Sequence, residues 1–476
     1  MKKYFFLMFC CSMALSACKK FLDVQPQDRF LSEQVFKDEK TINAALNGIY
    51  LNMAKSDLYG SRLSMRDLDL MAQYYNTSSN ASYRLYTSYN YAESGMRADF
   101  SKVWQSAYRV ILNANSFIGQ LEKSQNVIDD SRKHILMGEA YAIRAYLHFD
   151  MLRLFGPVYA RDSLKNAIPC LLAVTDQIQP ILPANKVIDS VLKDLNLAAA
   201  LLQNDPVRKE GVVVQTDADP GSNFYKMRNR RFNYYAVQAI KARVLLYRGN
   251  KAGALSLARA VITEGGKYFP WSPEAVSQPN TANPDRVFSS EVLLGFQNIE
   301  LYNQQRDFFA APLQNDVILA PLQDRLDEIY ENLPNDYRFR VNWRDGGSAG
   351  KTYKTFVKYE EVTDQAKTFR NFQSLFRLSE LYYIIAECEI DNDLAVKALN
   401  VLRSSRGLPA LISTANVPAE LYKEYRKEFW GEGQTFFFFK RKMLMTIPSG
   451  SVNGLTVNMR LEDYVVPLPL IETQSR

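Results

Sequence analysis

Two histidines, three cysteines beyond Cys11 and a scatter of carboxylates are what this chain offers for acid–base, nucleophilic or metal chemistry. His134 and His148 lie fourteen residues apart in one helical pattern, about 21 Å along the axis. They cannot share a metal ion or serve one histidine-based triad. Glu139, Arg144, Glu380, Glu387, Glu428, Glu432 and Arg441 stand within apolar helical stretches, where opposite charges on packed helices pair with one another rather than act on a substrate. Gly346 to Thr352 approaches a phosphate loop, but the motif would place its first glycine at Asp345 and the next residues read as strand, not helix. Asp217 to Asp219 lacks the glycine and closing glutamate of a calcium loop. No cofactor, no metal and no enzymatic activity is expected.

The chemistry that remains is recognition. The chain holds 28 Tyr and 27 Phe against 4 Trp, and tyrosine pairs an apolar ring with a polar tip. From Asp67 to Gly95 the residues Tyr74, Tyr75, Tyr83, Arg84, Tyr86, Tyr89, Asn90 and Tyr91 sit among Ser, Thr and Asn without a sustained helical period. This stretch reads as an irregular, exposed aromatic segment. A second group, Tyr302, Asn303, Arg306 and Trp343, lies in the loop-rich and strand-rich passage from Gly265 to Thr363. Rings can lie against sugar C–H faces or peptide side chains while Arg and Asn fix orientation. Against this, half or more of the tyrosines are expected merely to cover loops against the body.

Helices must position these segments. Ser131 to Val158 carries two apolar stripes, Leu136-Ala140-Ile143-Leu147-Met151-Leu154 and Tyr141-Ala145-Phe149-Leu152. A helix so patterned is packed on two sides. Ser131 is a candidate cap, Gly156-Pro157 a stop, and Glu139, Asp150 and Arg153 one charged edge. Further helices are predicted over Ser32–Met53, Phe100–Leu121 and Lys186–Leu202. Two helical pairs, Arg231–Tyr247 with Lys251–Thr263 and Leu375–Ile390 with Leu394–Ser405, align Ala242 with Ala386, Ala254 with Ala398 and Ala258 with Leu402. Small residues at that repeat let two helices approach closely, the logic of tetratricopeptide-type pairs. Ala419 to Lys442 is predicted as one last helix, buried nearly all round because Phe436 to Phe439 are consecutive. Short strands are predicted at Glu291–Phe296 and Tyr353–Tyr359.

The formal charge of +7 falls to +5 without Lys2 and Lys3, and no basic run tracks a phosphate backbone. Nucleic acid is a poor partner for such a surface. Lys2-Lys3, an apolar run to Ala14 and Leu15-Ser16-Ala17-Cys18 resemble a bacterial lipoprotein leader, too short to span a bilayer. That resemblance implies cleavage before Cys18 and lipidation of its thiol and amine. Cys170 and Cys388 then remain, and nothing in the sequence supports a disulfide between them.

Several further motifs resemble the SusD/RagB family of Bacteroidetes outer-membrane lipoproteins. They are Cys18 to Asp23 with Pro26, Gly138-Glu139-Ala140 through Arg144-Ala145 to Phe155-Gly156, Ala236 to Asn250, Arg377 to Glu387, and Leu399 to Arg403 with Arg406-Gly407. Glu428 to Gly433 with Arg441, and Pro467-Leu468-Pro469, complete the set in the family's order. The family's frequent asparagine-containing tail is replaced by Ile471 to Arg476. The resemblance implies a mainly α fold, a tetratricopeptide-like helical repeat body of four helix pairs with loops and a few short strands. It implies residues 1–17 as leader, 18–40 as lipid anchor and tether, and 41–476 as one domain with variable ligand-binding loops near 67–95 and 265–363. It also implies a non-catalytic, cell-surface binder, lipid-anchored in the outer membrane, that captures oligosaccharide and passes it to a SusC-type TonB-dependent transporter. An oligopeptide ligand, a protein-only scaffold and, with least support, a lipid-anchored hydrolase are the alternatives.

Overall fold

A computed structural model describes residues 36–124, 127–213 and 222–474. The leader, Cys18 and the tether as far as residue 35 lie outside the described residues, as does Asp217–Asp219. Four helix pairs form the body. The first joins α1 (Glu39–Met53) to the long α4 (Ser94–Lys123), with two short helices, α2 (Asp67–Met71) and α3 (Ala81–Thr87), in between. The second packs α5 (Asp130–Phe155) on α6 (Ala184–Leu201), and the third is α7 (Tyr234–Arg248) with α8 (Lys251–Gly265). Beyond the loop helix α9 (Leu301–Phe309), the fourth is α10 (Leu378–Cys388) with α11 (Asn392–Ser405). Then α12 (Val417–Glu428) and α13 (Thr435–Lys442) close the body.

The repeat seen in the sequence sits where two helices meet. Ala242, Ala254, Ala258, Ala386, Ala398 and Leu402 are all buried, which lets α7 press on α8 and α10 on α11. Helix α5 is buried from Ile135 to Phe155 on nearly every side. Its cap is Asp129, whose carboxylate accepts the Arg132 N–H at 3.0 Å, rather than Ser131. At Gly138 an added Cβ would stand 2.7 Å from Leu202 Cγ, so the missing side chain is what permits α6 to come this close. At the other end the Lys440 ammonium donates to the Arg153 and Gly156 carbonyls, each at 2.7 Å, satisfying groups that a helix leaves orphaned.

Eight strands make four two-stranded antiparallel sheets among the described residues. They are β1 (Asn166–Pro169) with β2 (Ile181–Pro183), β3 (Val292–Gln297) with β6 (Phe372–Arg377), β4 (Trp343–Asp345) with β5 (Lys354–Phe356), and β7 (Thr446–Pro448) with β8 (Thr456–Asn458). β3 and β6 are buried almost throughout, the apolar run of a strand covered on both faces.

Three sequence expectations are corrected. The stretch 67–95 is only partly irregular: α2, α3 and the start of α4 occupy nearly half of it. Helix α10 begins at Leu378 because Phe372–Arg377 pair with β3 instead. The single helix over 419–442 is two helices broken at Gly431, with φ +80°, whose N–H donates to the buried Asp69 carboxylate at 2.7 Å. Phe436 to Phe439 are nonetheless all buried, each worth about 1.5–3 kcal/mol of transfer free energy.

Candidate functional site

The motif carboxylates are locked in ion pairs. Glu428 on α12 faces Arg338 at 2.8 Å, Arg406 at 2.7 Å and Arg377, while Glu424 one turn earlier faces Arg338 at 2.9 Å and Arg403 at 3.0 Å. Glu291 holds the far side of Arg406 at 2.6 Å, and Glu432 pairs with Arg377 at 3.0 Å and with Lys358. Burial pushes the Glu428 carboxyl up, but Arg377, Arg406 and Arg338 outweigh it and hold the group well below the usual carboxylate range. Elsewhere Glu139 pairs with Arg228 and Arg231, Glu380 with Arg243, Asp194 with Arg144, and Glu387 with Arg441. These pairs join helices, as the sequence pattern predicts. A carboxylate held by two or three arginines has no proton to give near neutrality.

The histidines are equally committed. Nε2 of buried His148 accepts the Leu171 N–H at 3.1 Å, so Nδ1 carries the proton toward the Arg144 carbonyl at 3.0 Å. Burial, and then Arg144, bring its pKa down to about 3. His134 is exposed at the other end of α5. Cys170 and Cys388 are free, buried thiols.

Five of the twelve expected binding residues are core. Tyr74 stacks on Trp430 with ring centroids 4.1 Å apart, and its hydroxyl donates to the Arg426 carbonyl at 2.9 Å. Tyr75 and Trp343 meet the same indole edge-on, at 6.0 and 4.8 Å. The Tyr86 hydroxyl donates to Asp99 at 2.6 Å and that of Tyr89 to the Met71 carbonyl at 2.8 Å. None of these five is more than 7% exposed. Tyr74, Tyr75 and Tyr89 fasten the segment around α2 and α3 to Trp430 and Phe436, Tyr86 fastens α3 to α4, and Trp343 packs on Trp430.

The others divide between three places. Asn90 is exposed beside half-buried Tyr91, whose hydroxyl donates to the Asp463 carbonyl at 2.7 Å. Half-buried Tyr302 accepts the Asn371 N–H at 3.0 Å, and Asn303 donates to Glu300 at 2.6 Å, so this turn of α9 faces its own supporting loops. Tyr83 and Arg84, on α3, belong to a composite face.

That face is built from loops tied through backbone groups. Asn80 caps α3 by accepting the Tyr83 N–H at 2.8 Å. The turn before it is fixed to the loop after α9: the Asn76 N–H donates to the Ala320 carbonyl at 2.8 Å and Ser79 to that of Asn315 at 3.0 Å. A third loop closes the edge, with Lys351 and Tyr353 donating to Asn315 Oδ1 at 2.7 and 2.8 Å. Arg66 lies over the Phe308 ring at 5.5 Å. Burial raises the Tyr83 phenol, and Arg66 nearby opposes that rise. Arg84 and Arg306 are exposed, and Tyr83, Phe308 and Tyr353 half-buried. Arg66, Asn315 and Tyr353 were not picked out in the sequence, for nothing local marks them. Ring faces, amides and guanidinium groups without a nucleophile suit a hydroxyl-rich ligand held by weak contacts.

A family model described as "Starch-binding associating with outer membrane" matches residues 20–216, and one described as "SusD family" matches residues 327–458. A SusD-like protein of Formosa agariphila is 23% identical over 304 residues, covering 61% of this chain and 50% of the relative. A SusD-like protein of Bacteroides ovatus is 24% identical over 206 residues, covering 42% and 34%. The chain thus spans half or less of the length of these curated relatives. A SusD superfamily protein of Bacteroides thetaiotaomicron superposes with a TM-score of 0.70 at 20% identity, over 92% of this chain and 98% of the other. A laminarin-binding SusD-like protein does so with a TM-score of 0.63 at 18% identity, over 92% and 98%. At these identities the structural likeness speaks for the fold. With two family models together spanning more than two thirds of the sequence on that shared fold, the chain belongs to the SusD/RagB family.

Proposed function

We propose that this protein is a non-catalytic glycan-binding lipoprotein that holds oligosaccharide at the mouth of a SusC-type TonB-dependent outer-membrane transporter. The observation that carries the reading is the contrast between ion-locked carboxylates and an open face of rings, amides and arginines built from residues 76–84, 306–320 and 346–353. The fold that this chain shares with a laminarin-binding protein makes a β-glucan the first ligand to try. No helix among the described residues is long and apolar enough to cross a membrane. Ligand enclosed between the face and a transporter is held by weak contacts and released inward.

The test has two parts. Laminarin, xylan, starch and a tryptic peptide mixture are titrated into the mature chain, and the lipidated protein is recovered from native membranes in mild detergent. Saturable binding of one glycan class and co-purification of a large barrel are expected. Binding of peptides alone would replace the glycan by an oligopeptide, and recovery only as a monomer would contradict the transporter partner.

A further inference from the structure

Helices α5, α7, α10, α12 and α13 meet around a small cavity of about 30 Å³ whose walls include Arg153, Arg243, Tyr247, Glu380, Tyr425 and Arg441. One water needs about 10–15 Å³, so the space admits one or two small species and no sugar. Hydrogen-bond donors are left over in this wall. Arg243 gives Nε and Nη2 to the Glu380 carboxylate at 2.6 and 2.5 Å, but its Nη1 has no partner. The Tyr247 hydroxyl has none either. Both residues are only 6% exposed, and buried polar atoms are nearly always paired. Beside Arg243 the Tyr146 hydroxyl is also unpaired; turned to accept from Arg243, it would still have its own O–H to place.

Charge decides what such donors hold. Arg153 pairs with Asp150 at 2.5 Å, Arg243 with Glu380, and Arg441 with Glu387, which Lys442 shares at 3.3 Å. Lys440 is buried beside Arg153 and donates to the Arg153 and Gly156 carbonyls, with no carboxylate paired to it among the described residues. Burial, and then Arg153, push its pKa well down. Even with Lys440 left out of the count, four cationic heads share three carboxylates. The Tyr247 hydroxyl lies in the field of two of them, Arg153 and Arg441. A water placed here accepts from two donors but brings two O–H groups that need acceptors, and Gln434 Oε1 already takes Arg153 at 3.0 Å. A monatomic anion accepts from every donor, brings none, and offsets the surplus charge in a medium that screens it poorly.

We infer that this cavity is a binding site for one halide ion, chloride under ordinary conditions, held by Arg243 Nη1 and the Tyr247 hydroxyl. Five helices assemble the site, so the ion binds the folded chain and not the unfolded one, and its binding adds to stability. It fastens the closing helix α13 to α5, α7 and α10. The site uses none of the residues of the loop face, and the glycan-binding reading neither supports it nor depends on it.

Crystals of the mature chain grown in sodium bromide, measured at the bromine absorption edge, locate the ion directly. An anomalous peak in the cavity between Arg243 and Tyr247 is expected, and a cavity holding water only would overturn the assignment. In solution, melting temperature is followed against sodium chloride, with sodium gluconate keeping ionic strength constant because gluconate is too large to enter. A saturable rise of about 1–3 °C is expected, and Tyr247→Phe should move its midpoint to at least tenfold more chloride. Equal melting in the two salts, or the same midpoint in the folded variant, would contradict the site. A bromide peak without any chloride dependence of melting would mean an adventitious ion only, and would overturn it as well. Should the variant fail to fold, the bromide peak and the salt comparison on the unaltered chain still decide.

Discussion

Two regions of this molecule use the same side chains to opposite ends. Around Glu424 and Glu428, four arginines and two lysines meet carboxylates inside the protein, and Tyr383 is closed in with them. On the face built from 76–84, 306–320 and 346–353, Arg84 and Arg306 point to solvent, and the polar links run mostly to backbone carbonyls and to Asn315. In the first region every charge is spent on joining the fourth helix pair, α12 and the β3–β6 sheet. In the second, loops are secured largely through their backbone, and Arg84 and Arg306 stay exposed, the latter beside the exposed carboxylate of Asp307 at 3.4 Å. Buried ion networks thus specify the scaffold, and backbone-tied loops leave a surface that can vary.

The comparison breaks first at the hub. Glu428→Ala strands Arg338, Arg377 and Arg406 without their shared partner, and removing one member of a buried pair costs about 3–5 kcal/mol. Chemical denaturation should show a loss of that order, with no surviving folded fraction as a second acceptable sign. A loss under 1 kcal/mol would mean that the network is ornamental.

Acid is the gentler probe. Burial pushes the Glu424 carboxyl up, but Arg338, Lys427 and Arg403 bring it down to about 2, and Arg441 and Lys442 do the same for Glu387 against its burial. Both groups ionise more readily folded than unfolded. Their contribution is therefore complete above the unfolded value of about 4.3, and is lost as pH falls from there toward 2. Melting temperature should hold level from pH 7 to 5 and fall steeply below about 4.5. A decline beginning at pH 6 would place the sensitivity elsewhere.

The helix pairs were legible because alanines at a fixed repeat and two-sided apolar stripes are local signals, and α5, α7, α8 and α11 follow them closely. The ion pairs were legible too, since a carboxylate in an apolar helical pattern has few other ways to be buried. The fate of the tyrosines was not. Tyr74 and Tyr75 sit among Ser and Asn as a surface tyrosine would, yet they stack on or lean against Trp430, some 350 residues away in sequence. No local pattern reports a partner that distant. The two segments flanking the face were both visible, but their junction needed Asn315, which takes contacts from Ser79, Lys351 and Tyr353 at once. The glycine-rich stretch 346–352 was legible only for what it is not.

If stability and recognition reside in these separate regions, one paired measurement will separate them. Arg84→Ala and Arg306→Ala, combined in the mature chain, are assayed for melting temperature and for titration with whichever glycan the wild type binds. Stability should change by about 0.5 kcal/mol or less, as for exposed positions generally, while affinity falls at least tenfold. Unchanged affinity in a folded double variant would contradict the assignment of the face, and with it the division of labour between the two regions.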